Sequence, residues 1–297
     1  MSAADLSVLQ RPHDRLRRRR IVNRGMELLG WLTAALAVFL LGVVIFSVAR
    51  RGLSALNLDL FTKPLHQYAA GPQGLANAFL GTLIIVGLAT LMALPFGILI
   101  AIYVNEFAPR AIRNVVTLTL DVLAGVPAIV IGFFVYGLIV LSYGQSGYAG
   151  AFALAVLMLP LVSRSTMEVL ALVPDSLREA ALGVGAPRWR MTLGVVLPQT
   201  IGGVLTGATL AVARVAGETA PLLFTSSLAT PGTHLDPSQP LATVPLAIYQ
   251  LTDSYQESDH ALAWAGALVL ILFILVVSLT ARWFATRSRR KIAQASR

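Results

Sequence analysis

Three ionisable residues, Asp121, Arg214 and Glu218, stand inside runs that are otherwise apolar. At membrane depth such a group is costly and marks a functional site by default. Arg214 and Glu218 are four residues apart, so on a helix they share a face and can pair. Gly217 lies between them and Thr219-Ala220-Pro221 follows. Pro221 has no N–H and frees the Gly217 carbonyl, so the helix is expected to kink or break here. A broken helix beside charges at membrane depth suits a translocation site. The same residues read equally well as a structural ion pair neutralising itself in a polar crevice. Asp121 leans to a local role: it precedes Gly125-Val126-Pro127, where a kink is expected, and caps or pairs nearby. Arg164 and Glu168 form a further i,i+4 pair at the end of an apolar run, where long side chains snorkel outward.

The residue types of other chemistries are missing or scattered. Cysteine is absent, which excludes disulfides, thiolate catalysis and Cys-ligated metals. His13, His66, His234 and His260 make no pair at metal-binding spacing. The two lysines, Lys63 and Lys291, follow Thr62 and Arg290, so no phosphate-cradling Gly-Lys-Ser/Thr loop exists. No His-Glu-x-x-His, Gly-x-Ser-x-Gly or Gly-x-Gly-Asp motif is present. The expectation is a protein that is not an enzyme, with no catalytic site, metal or cofactor.

Composition says which elements must position the intramembrane charges. Apolar residues make up 56% and charged residues 12%, against roughly 25% charged in soluble domains. A bilayer core takes about 20 apolar residues as helix. Six runs qualify: Met26–Ala49, Leu75–Val104, Val115–Ser142, Ala149–Val162, Leu193–Ser226 and Ala261–Trp283. The fourth is short, while the second and fifth exceed one span, so tilt or a break is expected. Of 23 Lys and Arg, 19 fall on one side of this arrangement; only Arg50, Arg51 and Lys63 fall on the other, and Arg214 lies inside a span. The positive-inside rule then puts both termini in the cytoplasm. The basic flanks suit anionic lipid headgroups, and Arg17-Arg18-Arg19-Arg20 abuts an apolar span, which argues against nucleic acid. Ser47-Val48-Ala49 loosely fits a signal cleavage site, but the long apolar run and Glu27 favour a retained first helix.

The expected organisation is a basic tail (1–25), a first transmembrane helix (26–49), a periplasmic segment (50–74), a core (75–283) and a basic tail (284–297). The core holds a cytoplasmic loop (163–192), a tight Tyr143-Gly144-Gln145-Ser146-Gly147 turn and a longer periplasmic loop (227–260).

Within the cytoplasmic loop, Pro174 interrupts what precedes it and Ser176 stands three residues before Glu179, the spacing of a capping box. Arg178, Glu179, Ala180, Ala181 and Leu182 favour helix, and Gly183 or Gly185 can end it. Taken alone, Glu-Ala-Ala is only a cap with helix formers. The full run is Glu179-Ala180-Ala181, three residues, Gly185, nine residues, then Val195-Val196-Leu197-Pro198. That pattern resembles the coupling loop of importers driven by an ATP-binding cassette, with Val195 in place of the usual isoleucine. The resemblance implies a short helix docking into a groove of a separate ATPase subunit through Glu179, Ala180, Ala181, Gly185, Leu197 and Pro198.

A narrower likeness is carried by Ala213-Arg214-Val215-Ala216-Gly217-Glu218-Thr219-Ala220-Pro221-Leu222-Leu223, Leu123-Ala124-Gly125-Val126-Pro127 and Val173-Pro174-Asp175-Ser176-Leu177-Arg178-Glu179-Ala180-Ala181. These resemble the PstA-type permeases of high-affinity phosphate importers, over roughly Leu75 to the end of the sixth span. The resemblance implies an all-α polytopic inner-membrane protein of about six helices with the MetI-like permease fold of ABC importers. It implies as partners a homologous PstC-type permease, a PstB-type ATPase dimer and a PstS-type periplasmic phosphate-binding protein. It places Arg214, Glu218 and Thr219 in the substrate path, with Arg164 matching a basic family position. A guanidinium fork suits phosphate oxygens in a poorly solvated site. Two other readings stand: a permease for another oxyanion or small solute, and an ion-coupled secondary transporter with Asp121 or Glu218 as its proton site.

Overall fold

The computed structural model describes residues 13–65, 73–226 and 235–295. The expectations for residues 1–12, for 66–72 with His66, and for 227–234 with Pro231, Gly232 and His234 lie outside them. The chain divides into two units, Met1–Arg51 and Gly52–Arg297. The described part of the first is one long helix, α1 (His13–Gly52), which outruns the expected first span at both ends. Trp31, Val38, Phe39 and Phe46 are among the large apolar side chains it leaves exposed. That suits a helix whose solvent is lipid.

The second unit opens with a 3₁₀ turn (Leu53–Ala55) and a short helix α2 (Asp59–Thr62). Helix α3 (Ala76–Ile102) follows and widens into a π turn, Tyr103–Phe107. Next come α4 (Arg110–Gly125) and α5 (Ala128–Val135), the latter prolonged by a π turn (Tyr136–Val140) and a last turn (Leu141–Tyr143). Helix α6 (Gly147–Ala171) leads to α7 (Asp175–Gly183). A continuous stretch then runs through α8 (Arg188–Met191), a π turn (Thr192–Val196) and α9 (Leu197–Ala216). The chain closes with α10 (Leu222–Thr225), α11 (Val244–Thr252) and α12 (Glu257–Ala295). Among the described residues five helices are long and apolar enough to cross a membrane, or six if the bent α4–α5 pair counts as one span.

Helices α3 and α6 form the centre. The buried face of α3 carries Ala78, Thr82, Ile85, Ala89, Ala93, Gly97 and Ala101 at helical spacing. Small residues let helix backbones approach closely where lipid supplies no hydrophobic drive. At Gly97 a Cβ would stand 2.8 Å from a Val162 methyl, so only glycine fits the crossing. Leu154, Met158 and Val162 of α6 and Ala211 and Val215 of α9 complete this core.

Two breaks interrupt the bundle. Helices α4 and α5 meet at 97°, far more than the expected kink. Val126, held before Pro127, is extended (φ −69°, ψ 128°), because a residue preceding proline is pushed out of the helical region. The second break, Gly217–Pro221, falls where it was expected and ends α9 at Ala216. The breaks touch: a Cβ on Gly132 of α5 would collide with the Pro221 backbone. Phe133, Tyr136 and Phe224 stack edge and face around that contact, with centroids 6.0–6.4 Å apart.

The remaining spans differ in extent. The expected short fourth span is a 25-residue helix, since α6 carries Ser163, Arg164, Ser165 and Thr166 onward in helical form to Ala171. The fifth begins at Arg188 rather than Leu193, placing Leu197 and Pro198 within a helical stretch. Pro198 cannot donate to Gly194, and the wider π turn just before it absorbs the misfit. The described part of the 227–260 segment packs into the unit: Val244, Leu246, Ala247 and Leu251 of α11 are buried. Ser226 Oγ donates to the Leu241 carbonyl (2.6 Å), and the Val244 N–H donates to Thr82 Oγ1 (2.9 Å). In the tight turn Gly144 takes φ +81° and Ser146 caps α6, its oxygen accepting from the Ala149 N–H at 3.1 Å.

Candidate functional site

The two breaks and α6 close around Arg214 and Glu218. Leu123, Ala124, Val126 and Ala128 from the first break, Leu157 and Leu161 from α6, and Arg214, Val215 and Glu218 from the second enclose one small cavity of about 60 Å³. About 10–15 Å³ admits a single water, so this space takes only a few. Arg214 stands in the last turn of α9, while Glu218 lies beyond the helix end, its N–H donating to the Val215 carbonyl at 3.1 Å. The expected shared helix face is therefore not formed, because the helix stops two residues too early. Among the described residues no ion pair within 4.0 Å joins Arg214 to Glu218. Thr219 sits in the break, and its carbonyl accepts from the Leu222 N–H at 3.1 Å, starting α10.

The second pair is also rearranged. Arg164 ion-pairs with Asp121 of α4, not with Glu168, and Asp121 neither caps nor pairs within its own helix. The two side chains keep 40% and 45% of their exposure. Sequence spacing pointed to Glu168 because i,i+4 neighbours are the only partners that a sequence displays; the crossing of α4 and α6 supplies a better one.

At the other end, α7 forms without the expected capping box. Pro174 occupies the cap position and no side chain caps the helix, which leaves Ser176 inside the first turn. Arg178 anchors the helix instead. Its guanidinium donates to Glu106 from Nη2 (3.0 Å) and Nε (3.3 Å), to the Leu170 carbonyl (2.9 Å) and to Asp175 (3.1 Å). Glu106 keeps 3% of its side-chain exposure and Arg178 17%. The hydrogen bond that Arg178 donates to Glu106 holds the Arg178 pKa above its ordinary value, against the opposing effect of burial. Asn105 donates to the Met167 carbonyl (2.9 Å), and Arg113 to the carbonyls of Val104 (3.0 Å) and Asn105 (2.7 Å). The end of α3, the end of α6 and the root of α7 are thus tied around a cavity of about 480 Å³ that Arg178, Glu106 and Arg113 line.

Helix α7 ends as glycine chemistry dictates. Gly185 takes φ +82°, its N–H donates to Leu182 (2.9 Å), and the Ala186 N–H donates to Ala181 (3.2 Å). That is a Schellman termination, which favours glycine at the left-handed position. Glu179, Ala180 and Gly185 are exposed, Ala181 packs inward, and Pro198 is exposed beside a partly covered Leu197. Leu172, Leu177, Leu182, Val184 and Trp189 form an exposed apolar rim along the loop. Apolar patches of this kind mark interaction surfaces.

Sequence reasoning missed Glu106 and gave Arg178 only a flanking place. Glu106 ends an apolar run as the lone acid between the second and third expected spans, which is the one signal that it needs a cation. Among the described residues no cluster of His and carboxylates could hold a metal.

Residues 93–290 match the family model described as the binding-protein-dependent transport system inner membrane component. The chain is 40% identical over 271 residues to the phosphate transport system permease protein PstA of Pasteurella multocida, covering 90% of this chain and 95% of that one. It is likewise 40% identical to PstA of Yersinia pestis, over 89% of this chain and 90% of the relative. PstA 1 of Mycobacterium tuberculosis is 39% identical, over 73% of this chain and 72% of its own. Among solved structures, a bacterial alginate ABC transporter in complex with an alginate-loaded periplasmic protein superposes with a TM-score of 0.65, at 17% identity, over 91% of this chain and 97% of that chain. The inward-facing MetNI methionine ABC transporter gives 0.56, at 16% identity, over 70% and 91%. These two likenesses carry the fold alone.

Proposed function

The chain belongs to the binding-protein-dependent inner-membrane transport components, and within them to the PstA phosphate permeases, and on that premise we propose how its charges and its loop divide the work of import. The protein is the membrane-spanning subunit of an ATP-driven importer and forms the path for inorganic phosphate with a homologous PstC-type permease. A PstS-type binding protein delivers phosphate on the periplasmic side. A PstB-type ATPase dimer hydrolyses ATP in the cytoplasm, and this chain hydrolyses none. The subunit resides in the cytoplasmic membrane with its first helix retained and both termini inside.

The carrying observation is the cavity beside the helix break that Arg214 and Glu218 both line, with no ion pair joining them among the described residues. A guanidinium with open donors offers phosphate oxygens a planar fork. Glu218 accepts a hydrogen bond or proton from the bound anion and balances Arg214 between cycles, while Thr219 adds a hydroxyl beside the break. Arg164 lies further along the path. Helix α7, through Glu179, Ala180, Ala181 and Gly185, docks on the ATPase, with Leu197 and Pro198 shaping the following stretch. Its exposed apolar rim supports that role. The Arg178–Glu106 tie then carries the movement of α7 to α3.

The test compares Arg214→Gln with Arg214→Gln/Glu218→Gln in the assembled transporter. A path role predicts normal membrane abundance and a fall in phosphate uptake of about a hundredfold or more in both, because two charge-assisted bonds are lost. Wild-type-like uptake by the double variant at equal abundance would falsify the assignment of Arg214 as the anion contact.

A further inference from the structure

Leu157, Leu161 and Arg164 follow one another at i, i+4 and i+7, on one face of α6. The first two line the Arg214–Glu218 cavity. On α4, Leu123 and Ala124 line the same cavity, and Asp121 lies two and three residues before them. The Asp121–Arg164 pair therefore adjoins that cavity, displaced along α6 by about one helical turn, roughly 5 Å, toward the end that leads into α7. Two arginine tiers are stacked, and they differ in one respect. Among the described residues Arg214 has no ion-pair partner, whereas Arg164 already holds a carboxylate.

We propose that Asp121 is a built-in occupant of an oxyanion subsite at Arg164, and that it gives way to phosphate as the anion leaves the Arg214 tier toward the α7 end. Carboxylate and phosphate oxygens fit the same guanidinium fork. An arginine with no anion beside it leaves its charge unbalanced, and Asp121 balances Arg164 between cycles. Both side chains are half exposed, so the guanidinium keeps donors free for an incoming anion. Asp121 also sits one turn before the 97° bend, at the free end of a half-helix. A Cβ on Gly125 would meet nothing within 4 Å, so space is open beside that end. The displaced carboxylate repels the anion once it has moved on, which favours release over return.

The inference rests on the phosphate-permease reading, and its test separates the two. Radiolabelled inorganic phosphate is bound to the purified, nucleotide-free complete transporter without binding protein, and ATP-driven uptake is followed in proteoliposomes. Asp121→Asn removes the competitor and is expected to tighten phosphate binding about tenfold, the worth of one charge-assisted bond, while slowing turnover. Asp121→Glu keeps the occupant and should bind phosphate as the wild type does. Asp121→Asn/Arg164→Gln should lose the gain. Unchanged affinity in Asp121→Asn, or its loss from the membrane with recovery in the double variant, overturns the proposal and leaves a structural pair. Absence of phosphate uptake by the wild-type transporter overturns the functional reading instead.

Discussion

At the scale of single residues, the charges that matter are those whose partners come from another helix. Glu106 is the most deeply buried of them, with 3% of its side chain exposed against Arg178. Removing one member of such a pair leaves the other uncompensated and costs about 3–5 kcal/mol. Arg178 retains the Leu170 carbonyl and Asp175, which places Glu106→Gln near the lower end of that range. The expected outcome is a loss of roughly 3 kcal/mol, read as a lower thermal midpoint of the purified transporter and faster proteolysis between Leu172 and Pro187. Glu106→Gln/Arg178→Met, which removes both charges, should recover much of the midpoint. A single variant as resistant as the wild type would show that the tie contributes nothing to holding α7.

At the scale of elements, glycine and proline decide where helices stop, and the stops place the chemistry. Gly185 shows how sharply. Its φ of +82° disfavours any L side chain, yet no atom lies within 4 Å of an added Cβ. Gly185→Ala therefore carries only the conformational penalty, about 1–2 kcal/mol, and should lower phosphate uptake modestly. Gly185→Arg adds a bulky charge to the exposed end of α7 and is expected to abolish uptake and ATPase co-purification while the protein still inserts. Equal behaviour of the two variants would mean that the turn, and not the surface beside it, matters for docking. The bend at Val126-Pro127 and the break at Gly217–Pro221 act together through the Gly132–Pro221 contact. A side chain at Gly132 would part the two breaks and open the cavity that holds Arg214 and Glu218.

At the scale of the whole molecule, the distribution of charge sets orientation. Lys and Arg divide 19 to three between the two sides, and the bias in short loops governs insertion. Reporter fusions after Arg50 and near Asp236 should read as periplasmic, and fusions near Arg188 and after Lys291 as cytoplasmic. A cytoplasmic signal near Asp236 would be incompatible with six crossings. The bent α4–α5 pair makes this informative, since a re-entrant pair would return to the side it left.

The class, the family and the approximate number of spans were legible in local patterns, while the span ends were not. Apolar runs of bilayer length, flanking arginines and the Glu179–Pro198 spacing are local patterns, each set by residues that are near one another in the chain. The sequence also located the break at Pro221, because a missing N–H acts on its own helix. The 97° angle at Val126-Pro127, the partner of Arg164 and the anchoring of α7 by Glu106 came from the packing of helices against one another. Each depends on which helices cross and how closely, and that follows from small residues such as Gly97 and Gly132 meeting particular neighbours. A charge four residues away is visible in the sequence; a charge one helix away, such as Asp121 for Arg164, becomes the partner only when packing brings it within reach.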